Sequence, residues 1–214
     1  MHVLITGASR GIGAGLAAHY EAAGVRLTGT GRGADATTPL DVTRPEDHRA
    51  LSAALDGAAV DLLICNAGVF LDRDQTLETG FGADLWAETF AANVTGVFLT
   101  VQHMLPHLRR AAQPKIAIIS SQMASHTRAP GGSYIYRASK AAVLNLGRNL
   151  ASDLTSDGIA VGIYHPGWVR TDMGGGVADI SVREAVSGLV ERFEALSMDT
   201  TGCFETWDGR AHPY

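Results

Sequence analysis

Short apolar runs alternate with longer stretches of helical periodicity along the 214 residues. Residues 3–5, 25–30, 61–64, 116–120, 159–164 and 203–205 are largely apolar and rich in β-branched side chains. They lack a strict polar alternation, as expected of strands covered on both faces. Between them, residues 12–23, 45–55, 84–110, 134–155 and 182–196 carry apolar positions at helical spacing. Pro45 follows Thr43-Arg44 and precedes Glu46 and Asp47, the pattern of a helix start with acids in its first turn. Gly24 and Gly158 stand where glycine ends a helix. Strands and helices that alternate at these lengths predict an α/β fold: a doubly wound, Rossmann-type parallel sheet with helices on both faces. The stretch 172–180, Asp-Met-Gly-Gly-Gly-Val-Ala-Asp-Ile, is the most flexible in composition.

Composition narrows the picture. A chain of this length suits one domain spanning 1–214, with no internal repeat or linker to divide it. Hydrophobic residues make up 46% and charged residues 18%, enough apolar matter for a core. A net charge of -5, without a basic stripe, argues against nucleic acid as a partner. Cys65 and Cys203 lie in separate apolar segments and are expected to be buried thiols in a reducing compartment. No apolar run approaches the roughly 18 residues of a membrane span, and no signal-peptide pattern opens the chain. The cytoplasm is the expected location.

The chemistry lies at the predicted carboxyl ends of strands, where open parallel sheets bind ligands. After the first strand comes Thr6-Gly7-Ala8-Ser9-Arg10-Gly11-Ile12-Gly13. Its spacing is Gly-x-x-x-Gly-x-Gly, which lets backbone approach a pyrophosphate at a helix N-terminus; a plain turn would satisfy it too. The second strand ends at Gly31-Arg32, with no acid to accept from an adenosine ribose. Arg32 and Arg10 suit a 2′-phosphate, and this predicts NADP(H) over NAD(H); two solvated arginines are the plainer reading. Asp41-Val42 and Asn66-Ala67-Gly68 also follow strands, the latter leaving room for a flat nucleoside. Asn93, amid apolar neighbours in a helical stretch with Gly96, needs a partner or a task. Ser120-Ser121 close another strand. Tyr136 and Lys140 stand four apart on one helix face. A fixed ammonium favours a phenolate, and bringing a phenol from about 10 to about 7 requires roughly 4 kcal/mol. Such a tyrosine can exchange a proton with an alcohol or carbonyl.

These motifs, together with His165-Pro166-Gly167, occur in an order that resembles the short-chain dehydrogenase/reductases over nearly the whole chain. Tyr-Arg-Ala-Ser-Lys-Ala-Ala and Gly-Trp-Val-Arg-Thr-Asp-Met resemble the branch related to the bacterial C-factor cell-signalling protein. The resemblance implies a carbonyl–alcohol oxidoreductase in which Tyr136 is general acid or base and Lys140 tunes it and holds the nicotinamide ribose. It implies that Ser121 bonds the substrate oxygen and that Asn93 holds a water in a relay to Lys140. For the cofactor it implies the loop residues Gly7, Ser9, Arg10, Gly11, Ile12 and Gly13. Asp41 and Val42 would meet the adenine, Asn66, Ala67 and Gly68 its ribose, and Pro166, Gly167, Val169 and Thr171 the nicotinamide. A homodimer or homotetramer is also implied.

Two departures from the family pattern bear on the substrate. Ser121 lies 15 residues before Tyr136 where many members have 13, so the loop 122–133 is longer. Tyr134 has the usual spacing but no lysine four residues on. The segment after Thr171 is short, which predicts an open site. His103 and His107 are i, i+4 but lack a third ligand, so they are expected to be structural or solvated, with no metal. His126 is a candidate for the pocket wall, and His165 for packing. A competing reading is a cofactor-binding sensor or signalling protein of the same fold, against which the intact Asn93, Ser121, Tyr136 and Lys140 argue.

Overall fold

The computed structural model describes residues 1–33, 36, 38–127 and 129–214. Its elements are β1 (His2–Ile5), α1 (Gly11–Ala22), β2 (Arg26–Gly31), β3 (Thr38–Pro39), α2 (Pro45–Ala54), β4 (Leu62–Cys65), α3 (Ala83–Phe90), α4 (Gly96–Leu108), β5 (Lys115–Ile119), α5 (Tyr134–Asp153), β6 (Ala160–His165), α6 (Val182–Ala195) and β7 (Phe204–Thr206). The strands form one parallel sheet in the order β3-β2-β1-β4-β5-β6-β7. The chain winds outward from β1 to β3, then crosses back to place β4 on the other side of β1. This reversal opens a crevice at the carboxyl ends of β1 and β4.

Successive side chains of a strand point to opposite faces. Leu4, Leu63, Ile116, Ile118 and Val161 pack with Leu51 of α2, Val97, Val101 and Met104 of α4 and Val143 of α5. Val3, Ile5, Leu62, Ile64, Ala117 and Ile119 pack with Leu16 and Tyr20 of α1 and Leu189 and Phe193 of α6. The strands therefore lack polar alternation because both of their faces are core.

Four observations differ from the sequence expectation. β2, β4, β6 and β7 lie one residue C-terminal of the apolar runs, β4 ending at Cys65 and β6 at His165, whereas β1 and β5 begin one residue earlier than expected, at His2 and Lys115. β3, only two residues long, is too short for a periodic signal. The helix expected over 134–155 ends at Asp153 and tightens into a 3₁₀ turn, Leu154–Asp157, before the left-handed Gly158. Finally, the single helix expected over 84–110 is three pieces. Between α3 and α4 lies a π-helical turn, Ala91–Thr95, in which the Gly96 N–H donates to the Ala91 carbonyl. Such turns are rare and concentrate at functional sites. Asn93 sits in this one.

Glycine is required where α1 meets the strand ends. A Cβ on Gly13 would lie 2.1 Å from the Gly7 carbonyl oxygen and 2.5 Å from Asn66 Nδ2. Gly13→Ala is therefore expected to cost about 1–3 kcal/mol despite alanine's better helix propensity. Urea denaturation of the two proteins measures it, and an unchanged midpoint would show that the loop yields without loss.

Candidate active site

The glycine-rich loop links β1 to α1. Arg10 is the N-cap of α1 and makes no side-chain cap bond, and no acid stands in the first turn. The free N–H groups and the partial positive charge at this end suit an anion. Gly7 and Gly11 have φ of +69° and +55°, backbone that other residues rarely adopt. The loop is braced from β4: Asn66 Nδ2 donates to the carbonyls of Thr6 and Gly7 at 3.0 Å. The Thr6 hydroxyl accepts from the N–H groups of Asn66 and Ala67 at 3.1 Å.

A cavity of about 380 Å³ runs along this crevice. Gly7, Ser9, Arg10, Gly11, Ile12, Gly13, Arg32, Asp41, Val42, Asn66, Ala67, Gly68, Tyr136, Lys140, Pro166 and Thr171 all line it. Gly167 and Val169 instead line an adjoining cavity of about 450 Å³. The groove fits a dinucleotide: Gly7, Gly11 and Gly13 line it, so that backbone can approach a ligand closely, and α1 brings an uncapped N-terminus to it. On its wall, Arg10 lies 3.5 Å from Asp172, both exposed. Asp41 accepts from the Thr43 N–H (3.0 Å) and hydroxyl (2.7 Å). Burial alone would raise the Asp41 carboxyl, but those two bonds and the Arg32 and Arg44 charges hold it below the usual range.

Tyr136 and Lys140 occupy the first two turns of α5 and are buried. The Tyr136 ring stacks on Phe70, centroids 4.3 Å apart. Lys140 Nζ lies 5.6 Å from the centre of the Tyr136 ring and donates to the Ile119 carbonyl at 3.0 Å. Ser121 follows β5; its hydroxyl accepts from the Met123 N–H at 3.1 Å and is hydrogen-bonded to the Tyr136 side chain. Burial pushes the Tyr136 phenol up to about 12, against the lowering effects of Ser121 and the Arg73 charge. Burial likewise pushes Lys140 down to about 8. The expected depression of the phenol by the lysine is thus not what this arrangement gives. Both groups have lost water, which disfavours the charged form of each.

Asn93 works as a brace. Its Oδ1 accepts from the Val69 N–H at 2.8 Å, and its Nδ2 donates to the Val69 carbonyl (2.9 Å) and to Ser139 Oγ (3.0 Å). Ser139 in turn donates to the Tyr136 carbonyl at 2.8 Å. The side chain lines neither cavity.

Sequence reasoning passes over Asp72. Its carboxylate is fully buried and accepts from the Ile135 N–H at 2.8 Å and the Tyr136 N–H at 3.3 Å. The N-cap of α5, Ser133, is left-handed at φ 48° and makes no side-chain cap bond. A distant carboxylate thus caps the helix that carries Tyr136. The local start of α5 holds no trace of this. The only signal is an acid in a polar turn shortly after Asn66-Ala67-Gly68.

The second cavity is lined by Phe70, Arg73, Ser121, Met123, Arg137, His165, Trp168 and Met173, among others. His165 thus lies on its wall, while His126 is exposed and lines neither cavity. Within the loop 122–133, Gln122–Ala124 form a 3₁₀ turn at the cavity edge, and Arg128 lies outside the described residues. The stretch 172–180 is held down: Arg73 donates to the Met173 carbonyl, Trp168 Nε1 to the Gly174 carbonyl (2.8 Å), and Arg170 to the Ala178 carbonyl (2.9 Å). It leaves both cavities open to solvent, as expected of a short segment. His107 is bonded at both ring nitrogens, by Ala58 and Ser52, and His103 stacks on His48. Both cysteines are free thiols; Cys65 is buried and Cys203 half-buried.

The lysine leaves a signature in stability. Lys140 is about 8 when folded and about 10.5 when unfolded. Below pH 8 both states are protonated, and the fold carries the full cost of the buried charge. Between 8 and 10.5 the unfolded chain binds more protons, so this site's contribution to stability rises with pH. Lys140→Met is expected to be more stable than the native protein at pH 7, with an advantage that shrinks from pH 8 to 10. Paired urea titrations across that range read it; a constant difference would refute it.

The short chain dehydrogenase family model matches residues 1–180. The C-signal protein of Myxococcus xanthus is 35% identical over 171 residues, covering 78% of this chain and 99% of that protein. The 1-hydroxy-2-glutathionyl-2-methyl-3-butene dehydrogenase of a Rhodococcus species is 34% identical, covering 79% of this chain and 76% of that enzyme. Among solved structures, an NADPH-bound carbonyl reductase from chicken fatty liver superposes with a TM-score of 0.91 at 31% identity, covering 100% of this chain and 98% of that one. An NADP-bound structure from Burkholderia multivorans gives 0.89 at 30% identity, covering 100% and 99%. With its glycine loop, its Tyr136–Lys140 helix and its sheet order, the chain belongs to the short-chain dehydrogenase/reductase family of oxidoreductases, in the branch that includes C-signal.

Proposed function

We propose that the protein is an NADP(H)-dependent oxidoreductase that interconverts a small carbonyl compound and its alcohol. One observation carries this reading. Tyr136 lines both cavities, so a single proton-carrying hydroxyl borders the cofactor groove and the adjoining cavity at once. Pro166, Thr171 and Met173 border both as well.

A reduced nicotinamide bound in the groove would supply the hydride. The α1 N-terminus and Gly7–Gly13 would hold the pyrophosphate, and Arg10 and Arg32 the 2′-phosphate. Asp41 and Val42 flank the adenine, Asn66, Ala67 and Gly68 its ribose, and Pro166, Gly167, Val169 and Thr171 the nicotinamide side. In reduction Tyr136 donates its proton to the carbonyl oxygen, and Ser121 stabilises the charge developing there. In oxidation Tyr136 takes the proton back. A phenol pushed up to about 12 carries its proton at neutral pH, the form that can donate to a carbonyl oxygen. The NADPH and NADP of the similar structures support the cofactor choice. The whole chain acts as one cofactor-binding domain, in the cytoplasm and as a homo-oligomer; among the described residues, no helix is long and apolar enough to cross a membrane. The likeness to C-signal supports a second reading, in which a cofactor-bound protein signals with little turnover.

Reduction of a panel of aldehydes and ketones, followed by loss of NADPH absorbance, separates the two. Tyr136→Phe is expected to lower kcat by about 10²–10⁴-fold while calorimetry shows NADPH still bound. Turnover that survives the substitution overturns the catalytic reading. Binding without turnover in the native protein favours signalling. For the cofactor, Arg32→Gln is expected to raise the KM for NADPH about tenfold or more and to leave that for NADH nearly unchanged. A native protein that prefers NADH contradicts the assignment.

A further inference from the structure

We propose that the cavity beside Tyr136 takes a carbonyl compound bearing an anionic group, a carboxylate or a phosphate, held by Arg73 and Arg137. This names the substrate class of the reaction proposed above and rests on that reading.

The charges around the cavity carry the case. Among the described residues two guanidinium groups line it and no carboxylate does, in a chain whose net charge is -5. Among the described residues neither arginine forms an ion pair. Asp72, which precedes Arg73, is buried, with its oxygens turned to the N–H groups of Ile135 and Tyr136, and Asp74, which follows it, is exposed and pairs with neither arginine among the described residues. Asp172 is taken by Arg10. Each arginine is anchored through one group: Arg73 Nη2 to the Met173 carbonyl and Arg137 Nε to the Gly132 carbonyl at 3.1 Å. Arginine carries five N–H donors, so each side chain is oriented and keeps donors for a ligand. Arg73 also lies over the Phe70 ring, 5.0 Å from its centre, which holds the guanidinium plane before any ligand arrives.

The rest of the wall sets the body of the ligand. Phe70, Met123, Trp168 and Met173 are apolar. Phe70 contacts both Arg73 and Tyr136, so the Arg73 charge lies one aromatic ring away from the reacting hydroxyl. A ligand that spans this distance carries its anion several bonds from its carbonyl, across a flat apolar body. A planar fork that pairs with two oxygens suits a carboxylate or phosphate better than a neutral polar group.

Matched aldehydes test the inference. 4-Carboxybenzaldehyde and 4-formylphenyl phosphate are compared with neutral methyl 4-formylbenzoate, all with NADPH. An anionic substrate is expected to exceed the neutral one in kcat/KM by about tenfold or more. That ratio is expected to fall about tenfold in Arg137→Gln and in Arg73→Gln, and to return in part in Arg137→Lys. The two anionic arms show which anion the site prefers. Equal kcat/KM for charged and neutral aldehydes, or a ratio unmoved in both variants, overturns the proposal and leaves the reaction standing. Binding of benzoate, phenyl phosphate and benzamide to the NADP⁺-loaded protein gives a readout free of turnover. If no aldehyde is reduced but an anion binds more tightly than benzamide and loses that advantage in Arg137→Gln, the anion site stands and the reaction falls. Benzamide binding as tightly as both anions refutes the site.

Discussion

The site depends on one loop, residues 66–72, that leaves the middle of the sheet and fastens three other elements with buried and half-buried hydrogen bonds. Asn66 holds the glycine loop in front of α1. Val69 exchanges two bonds with Asn93 in the helical layer beyond. Asp72 caps α5 and so sets the height of Tyr136. A buried carboxylate is costly unless its oxygens are bonded, and here the bonds are the first N–H groups of a helix, which lack partners of their own. Each side satisfies the other, and the pairing specifies where α5 begins. The strands supply a rigid platform, and this polar loop converts it into a position for a hydroxyl.

Desolvation then decides the electrostatics. Tyr136 and Lys140 sit close enough for the charge of one to matter to the other, yet each is moved mainly by the loss of water, in opposite directions. The phenol keeps its proton and the ammonium holds its own less firmly. The balance at the site accordingly depends on what fills the two adjoining cavities, since a ligand replaces solvent along exactly those walls that Tyr136 shares.

The sheet was legible because its signal is local and repeated: residues 3–5, 61–64 and 116–120 are apolar on both faces, and a helical stretch follows each. The glycine loop and the Tyr136–Lys140 pair were legible for the same reason, since each lies within a few consecutive residues. Asn93 showed itself as a misfit, a polar side chain among apolar ones, although its partners did not. Asp72 was silent because a cap supplied from more than sixty positions away leaves no mark near Ser133. The stretch 172–180 looked loose from its glycines, but its anchors come from Arg73, Trp168 and Arg170 outside it. His165 is packed as expected and also lines a cavity, whereas His126 is exposed and lines none, because whether a histidine faces a cavity depends on which elements surround it.

The π-turn at Ala91–Thr95 also sets a phase. A regular helix advances about 100° per residue, so the extra residue in this turn rotates everything after it relative to what precedes it. α3 fully buries only Thr89, whereas α4 buries Val97, Val101, Met104 and Leu108 along one side. The two halves therefore meet different surroundings, and the turn is where the helix changes its facing. Removing one residue there would leave the composition of the helix almost intact and swing its apolar stripe away from the sheet. In this fold the irregular turn that holds Asn93 is also the element that aligns a whole layer of the core.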